Sequence, residues 1–184
     1  MQICFNAEKE NGLIQAALSG GGHAFKELTE PYIPALYNYI KLKTALHADA
    51  EDVLQETMLA LWQSLASFSG QSAFKTWVFS VAKHKIADFY RERRAETDYI
   101  AEMPDDIAAA DVWENTDGNL DLYGALAKLP EEDRELVYLV FNAGLTYEEI
   151  QNLTGVKTGT VKSRIHYIKK TLYTLLSQKG DGAL

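Results

Sequence analysis

The chain has 184 residues, 47% hydrophobic and 24% charged, with a formal net charge of −8. That length suits one large domain or two small helical ones, with enough apolar material for real cores. Its one cysteine, Cys4, excludes an internal disulfide, and no run approaches the roughly 18 apolar residues of a membrane span. The start, MQICFNAEKENG, lacks a basic stretch followed by an apolar one, so it does not read as a secretory signal, and a cytoplasmic location is expected.

Residues 1–95 carry ten Lys/Arg and ten Asp/Glu and are neutral overall. Apolar residues recur there at three- and four-residue spacing, and strand-like alternation is scarce, so helices are predicted. Gly20, Gly21 and Gly22 punctuate the chain, and Phe25, Leu28, Tyr32 and Leu36 then form one stripe. A second helix is predicted from about Ala48, with Leu54, Met58, Leu61 and Leu65 toward the core. Its opposite face holds Asp52, Gln55, Glu56 and Leu59. The turn SFSGQS (67–72) leads into a third helix, from about Ala73 to Arg94. Phe74, Trp77, Val78, Val81 and Phe89 fall on or near its apolar side, and Phe79, Lys83, Ile86, Tyr90 and Arg94 on the other, with Arg91 and Arg93 flanking. Lys85 falls on the apolar side of this wheel, where a cation has no evident place.

The next segment, 96–127, carries nine acids and no Lys or Arg. Its periodicity is weak, and it contains Pro104 and Gly118, so it reads as an acidic linker with a short helix at its end. The excess negative charge sits there, between an N-terminal domain (1–95) and a C-terminal domain (128–184).

In the C-terminal domain Pro130 fits a first helical position, and Glu131, Glu132 and Asp133 suit the positive end of a helix dipole. Leu136, Leu139 and Val140 give an apolar face, and Gly144 fits a left-handed cap. Thr146-Tyr147-Glu148-Glu149 has the spacing of a capping box. That short helix runs to about Leu153, Gly155 makes a turn, and a last helix runs from about Thr158 to Leu176. Val161, Ile165, Ile168 and Leu172 share its inner face, while Thr160, Lys162, Ser163, His166, Tyr167 and Lys170 lie outside. Between Gln151 and Gly180 there are six Lys/Arg and no acid. A short helix, a glycine turn and a basic second helix are what insertion into the major groove of DNA requires. The bland alternative is a small bundle whose charged face is only solvated.

Nothing points to an enzyme. His23, His47, His84 and His166 are scattered without ligand spacing, and there is no phosphate-cradling glycine loop or nucleophile motif. No metal and no cofactor are expected.

The stretch LPEEDRELVYLVFNAGLTYEEIQNLTGVKTGTVKSRIHYIKKTL (129–172) resembles the distal-promoter-binding domain of bacterial sigma factors of the extracytoplasmic-function (ECF) type. Independently, Ala50-Glu51-Asp52-Val53-Leu54-Gln55-Glu56 is similar to that family's polymerase-binding helix. The helix from Phe74 through Arg94 resembles its promoter-melting helix, with Ala82-Lys83-His84 where the family often has Ala-Arg-Asn. The resemblance implies an all-α chain of two small helical domains and no catalysis of its own. Core RNA polymerase and promoter DNA would be its partners, with an anti-sigma protein as a further one. Asp52, Gln55, Glu56 and Leu59 would meet the polymerase clamp. Phe68, Phe79, Lys83, Tyr90, Arg91 and Arg94 would hold the opened proximal element, since bases stack on rings while cations track phosphates. Lys157, Thr158, Thr160, Lys162, Ser163, Arg164, His166, Tyr167 and Lys170 would read the distal element. The acidic linker would thread through polymerase toward the RNA path. Two rivals remain at this point: a stand-alone helix-turn-helix regulator, and an interaction module that never touches DNA.

Overall fold

The computed structural model describes residues 7–44, 46–96 and 120–180. Among them all regular structure is helical, and the chain divides into two compact units between Met103 and Pro104, inside the acidic stretch. Residues 97–119 of the predicted linker lie outside the described residues.

The N-terminal unit comprises α1 (Ala7–Leu18), α2 (Gly22–Thr29), α3 (Ile33–Lys43), α4 (His47–Ser64) and α5 (Phe74–Glu96). The α1–α2 turn depends on glycine twice. Gly20 has φ +91°, and a Cβ on Gly21 would come within 2.7 Å of the Ala16 carbonyl oxygen. Tyr32 anchors α1: its hydroxyl donates to the Glu10 carboxylate at 2.9 Å. Burial, followed by that carboxylate, pushes the phenol far above its ordinary range, so it stays a neutral donor. The core is built from Leu28, Tyr32, Leu36, Tyr39 and Ile40, closed by Ala50, Val53, Leu61 and Leu65 and by the inner face of α5.

Two helical faces differ from the sequence expectation. On α4 the buried positions are Asp49, Ala50, Val53, Thr57 and Leu61, while Leu54 and Met58 are half-buried. Thr57 enters this apolar row by donating its hydroxyl to the Val53 carbonyl at 2.7 Å. On α5 the buried row is Phe74, Val78, Phe79, Ala82 and Ile86, so Phe79 and Ile86, expected to face outward, face inward. The Phe79 ring is fully buried and meets Tyr39 of α3 edge-on at 5.4 Å. Trp77 and Val81, expected inside, are half-exposed.

The C-terminal unit comprises α6 (Leu120–Ala127), α7 (Glu131–Val137), α8 (Tyr147–Thr154) and α9 (Thr158–Gly180). With Tyr123, Ala125 and Leu126 of α6 buried, structured chain starts before the predicted domain boundary at residue 128. Pro130 stands at the cap of α7 rather than at its first helical position. Leu136 to Leu139 are four consecutive buried residues, more than one face of an α-helix accommodates. There α7 widens into a π-helical turn over Tyr138–Asn142, which Gly144 ends at φ +64°. The capping box is formed in both directions. The Glu149 amide donates to the Thr146 hydroxyl at 3.2 Å, and the Thr146 amide donates to the Glu149 carboxylate at 2.7 Å. Val161, Ile165 and Ile168 seat α9 on Leu136, Leu139, Ile150 and the other core residues of this unit.

Thr146→Ala removes one arm of that box. It should lower the stability of the C-terminal unit by about 1 kcal/mol, read as a shifted urea midpoint with an unchanged slope.

Candidate nucleic-acid interface

The turn between α8 and α9 is held by three local contacts. Gly155 closes α8 at φ +77°, the Val156 amide donates to the Thr154 hydroxyl, and the Thr158 amide donates to the Gln151 side-chain oxygen at 2.9 Å. The last bond caps the first turn of α9 from the preceding helix, a role for Gln151 that sequence reading missed. A short helix and a long one are thereby locked at one angle, as a helix that enters a groove requires.

Lys157, Thr160, Lys162, Ser163, His166, Tyr167 and Lys170 all lie exposed along α9 and the turn before it, and Thr158 is half-buried. Tyr167 is 68% exposed, a large ring with little cover. The seven exposed residues combine cations for phosphates with hydroxyl, imidazole and phenol groups for base edges.

Arg164 is different. Its Nε donates to Asp133 at 3.0 Å, and an Nη donates to Glu132 at 2.9 Å. The hydrogen bond to Glu132 leads the interactions that hold the guanidinium above its ordinary pKa. Two carboxylates of α7 thus claim this cation, and Arg164 braces the foot of α9 instead of standing as an open phosphate contact. The partners lie 31 and 32 residues away in sequence, so no local pattern reveals the pairing.

On α5, His84, Arg91 and Arg94 are exposed, whereas Lys83 and Tyr90 are half-buried. Arg91 pairs with Asp88, and the Tyr90 hydroxyl donates to the Lys43 carbonyl, tying the end of α5 to α3. Phe79, expected to stack on bases, is unavailable because it fills the core. Trp77 takes its place on the surface. With Phe68 and Phe74 it forms a three-ring cluster, with centroids 5.3–5.5 Å apart, at the rim of the 67–72 turn. Phe68 and Trp77 are half-exposed there, a platform on which an unpaired base can stack.

On α4, Asp52, Gln55, Glu56 and Leu59 share one exposed face, with Leu59 50% exposed. Trp62, one turn further on, is 41% exposed and braced edge-on by Phe25 at 5.0 Å. It adds a large apolar ring to a row that sequence reading ended at Leu59. No described helix is long and apolar enough to cross a membrane.

A helix-turn-helix unit with a one-sided basic helix, and a separate helical unit that offers an aromatic–basic helix beside a polar–apolar one, define a transcription factor of two modules. Comparison with known proteins narrows the class. Residues 28–96 match the family Sigma-70 region 2, and residues 119–172 match Sigma-70, region 4. The ECF RNA polymerase sigma factor RpoE of Cereibacter sphaeroides is 32% identical over 145 residues, which span 77% of this chain and 80% of that one. The ECF RNA polymerase sigma factor SigM of Mycobacterium tuberculosis is 29% identical over 95% of this chain and 89% of its own. Among solved structures, CnrH in complex with the cytosolic domain of CnrY matches with a TM-score of 0.65 and 27% identity, covering 92% of this chain and 98% of that one. The sigma factor RpoE of Bartonella quintana, in complex with the anti-sigma factor NepR, also has a TM-score of 0.65, with 28% identity, and covers 83% of this chain and 96% of its own. The chain belongs to the ECF family of RNA polymerase sigma factors, and its function is that of a sigma factor directing RNA polymerase.

Three substitutions separate bracing residues from exposed ones. Phe79→Ala should cost about 3–5 kcal/mol in urea denaturation of the N-terminal unit, whereas Arg94→Ala should stay within about 0.5 kcal/mol of the parent. Arg164→Ala should destabilise the C-terminal unit by about 1–2 kcal/mol, because it leaves the Glu132 and Asp133 carboxylates without their shared cation.

Proposed function

We propose that the chain docks on core RNA polymerase through the α4 face of Asp52, Gln55, Glu56 and Leu59, extended by Trp62. The exposed side of α9 reads the distal promoter element. Trp77, Phe68, Lys83, His84, Arg91 and Arg94 hold the opened strand of the proximal element. The observation that carries the reading is the capped α8–α9 pair: the stretch from Gln151 to Gly180 holds six Lys/Arg and no acid, and Lys157, Lys162, Lys169 and Lys170 lie exposed on it, in a chain whose net charge is −8. A solvated face in so acidic a protein has no reason to exclude every acid over 30 residues, whereas a phosphate-tracking face does.

Catalysis in this reading belongs to the polymerase, and the chain works in the cytoplasm, where that enzyme is. An anti-sigma protein is a third partner class. One solved relative is held by such a factor, and surfaces that meet polymerase and DNA are the ones a silencing partner must cover. A stand-alone helix-turn-helix regulator is not favoured, because the relatives named above are RNA polymerase sigma factors.

Gel shifts with and without core polymerase test the proposal. The free chain should bind promoter DNA weakly, and the complex with core should bind it tightly. Tight operator binding by the free chain would overturn the reading. Lys162→Glu should keep the melting temperature of the parent and abolish promoter-specific run-off transcription. It should also lower the slope of log K against log salt by about 0.9 for each phosphate that is no longer neutralised.

A further inference from the structure

α4 and α5 are joined by two ion pairs. Arg93 donates to Asp49 at 2.7 Å, and Lys85 lies 3.3 Å from the Glu56 Oε2. The acids are seven residues apart on α4 and the bases eight apart on α5, in reversed order, so the helices run antiparallel and the pairs form two rungs. The spacings, about 10.5 Å and 12 Å along the axes, match. The rungs differ in kind. The Asp49 side chain is 13% exposed, and its Arg93 partner also lies 5.0 Å over the Phe89 ring, so this rung is part of the packing. The Glu56 side chain is 62% exposed and stands in the row assigned above to polymerase.

The sequence around Glu56 leaves its charge poorly supported on its own helix. α4 contains no Lys or Arg. Asp52, four residues earlier, is a like charge at the spacing where repulsion is felt. Lys85, for its part, has an acid three residues away on α5, Asp88, but Arg91 holds that carboxylate. Each member therefore finds in the other a partner that its own helix does not supply, and the cation with no place on the sequence wheel gains one. Lys85 meets only Oε2, and a carboxylate has about four acceptor positions. Oε1 remains available for a basic group of a partner.

We propose that Lys85 is a positioning residue for polymerase docking: its ion pair holds the Glu56 carboxylate in the conformation that the polymerase meets, and offsets its repulsion from Asp52. This rests on the reading of the α4 row as the docking face. A long side chain held before binding loses less conformational freedom on binding, which is where the gain in affinity arises.

The test is titration of the full chain into core polymerase without DNA, for Lys85→Ala, Glu56→Ala, the double variant and Lys85→Arg. Circular dichroism and melting temperature serve as fold controls, since an ion pair this exposed contributes little to the fold. Lys85→Ala should raise Kd about three- to tenfold. The double variant should bind no more weakly than Glu56→Ala alone, and Lys85→Arg should restore the parent value. Unchanged or tighter binding by Lys85→Ala, or single losses that multiply in the double variant, would overturn the inference while leaving the docking face standing, provided Glu56→Ala weakens binding. If Glu56→Ala binds like the parent, the docking assignment of Glu56 fails, and this inference fails with it.

Discussion

The seating of α5 on α3 and α4 is the constraint on which the N-terminal unit depends. A helix has one circumference, and every residue assigned to the core is withdrawn from a partner. Phe74, Val78, Phe79, Ala82 and Ile86 take the inner arc, with the Phe79–Tyr39 contact at its centre. That choice turns Trp77, His84, Arg91 and Arg94 outward. Rotating α5 by one residue would bury a tryptophan and expose a phenylalanine, and the basic residues would turn with them. The same packing decides the outer face of α4, because Ala50, Val53, Thr57 and Leu61 meet the core and leave Asp52, Gln55, Glu56 and Leu59 outside. One core thus sets the two outer faces, on adjacent helices, that are proposed to meet polymerase and DNA.

The C-terminal unit meets a different constraint. A helix proposed to read DNA must be basic outside, yet its foot must be rigid. Arg164 sits at the border and is committed to rigidity by Asp133 and Glu132. Those acids also lie in the first turn of α7, where they favour the positive end of its dipole, so one pair of carboxylates serves two helices. Gln151 plays the matching part at the start of α9, through the Thr158 amide. Between these two fastenings the exposed groups of α9 are presented on a helix whose entry angle is held by hydrogen bonds within the unit.

How much of this was legible depended on the range of the interaction. The capping box, the glycine turns and the inner row of Val161, Ile165 and Ile168 are written in residues a few positions apart, and they were read correctly. The outward row of α4 was legible because its polar residues sit at helical spacing. The face of α5 was not. Phe74, Trp77, Val78, Phe79, Val81, Ala82, Ile86 and Phe89 spread over an arc of about 200°, wider than one core face, so periodicity alone does not fix where its buried centre lies. Only the position of Tyr39, forty residues earlier in the chain, selects Phe79. The partners of Arg164 and Lys85 were hidden for the same reason, since each lies about thirty residues away.

The division of charge follows from using two modules for one task. Coulomb steering by the basic strip is offset by the nine acids of the 96–127 stretch, and a Debye length of about 8 Å limits both effects to near neighbours under physiological salt. The basic strip of α9 is therefore effective at contact distance and weak at long range, which suits a reader that must not occupy every stretch of DNA by itself. The docking proposed for α4 supplies what the strip lacks. Once one module is held, the second binds at an effective concentration set by the connecting chain rather than by the concentration of free protein. Modest affinity in each part then becomes an advantage, because neither surface alone commits the chain to DNA or to polymerase. Promoter choice comes to depend on both being satisfied together.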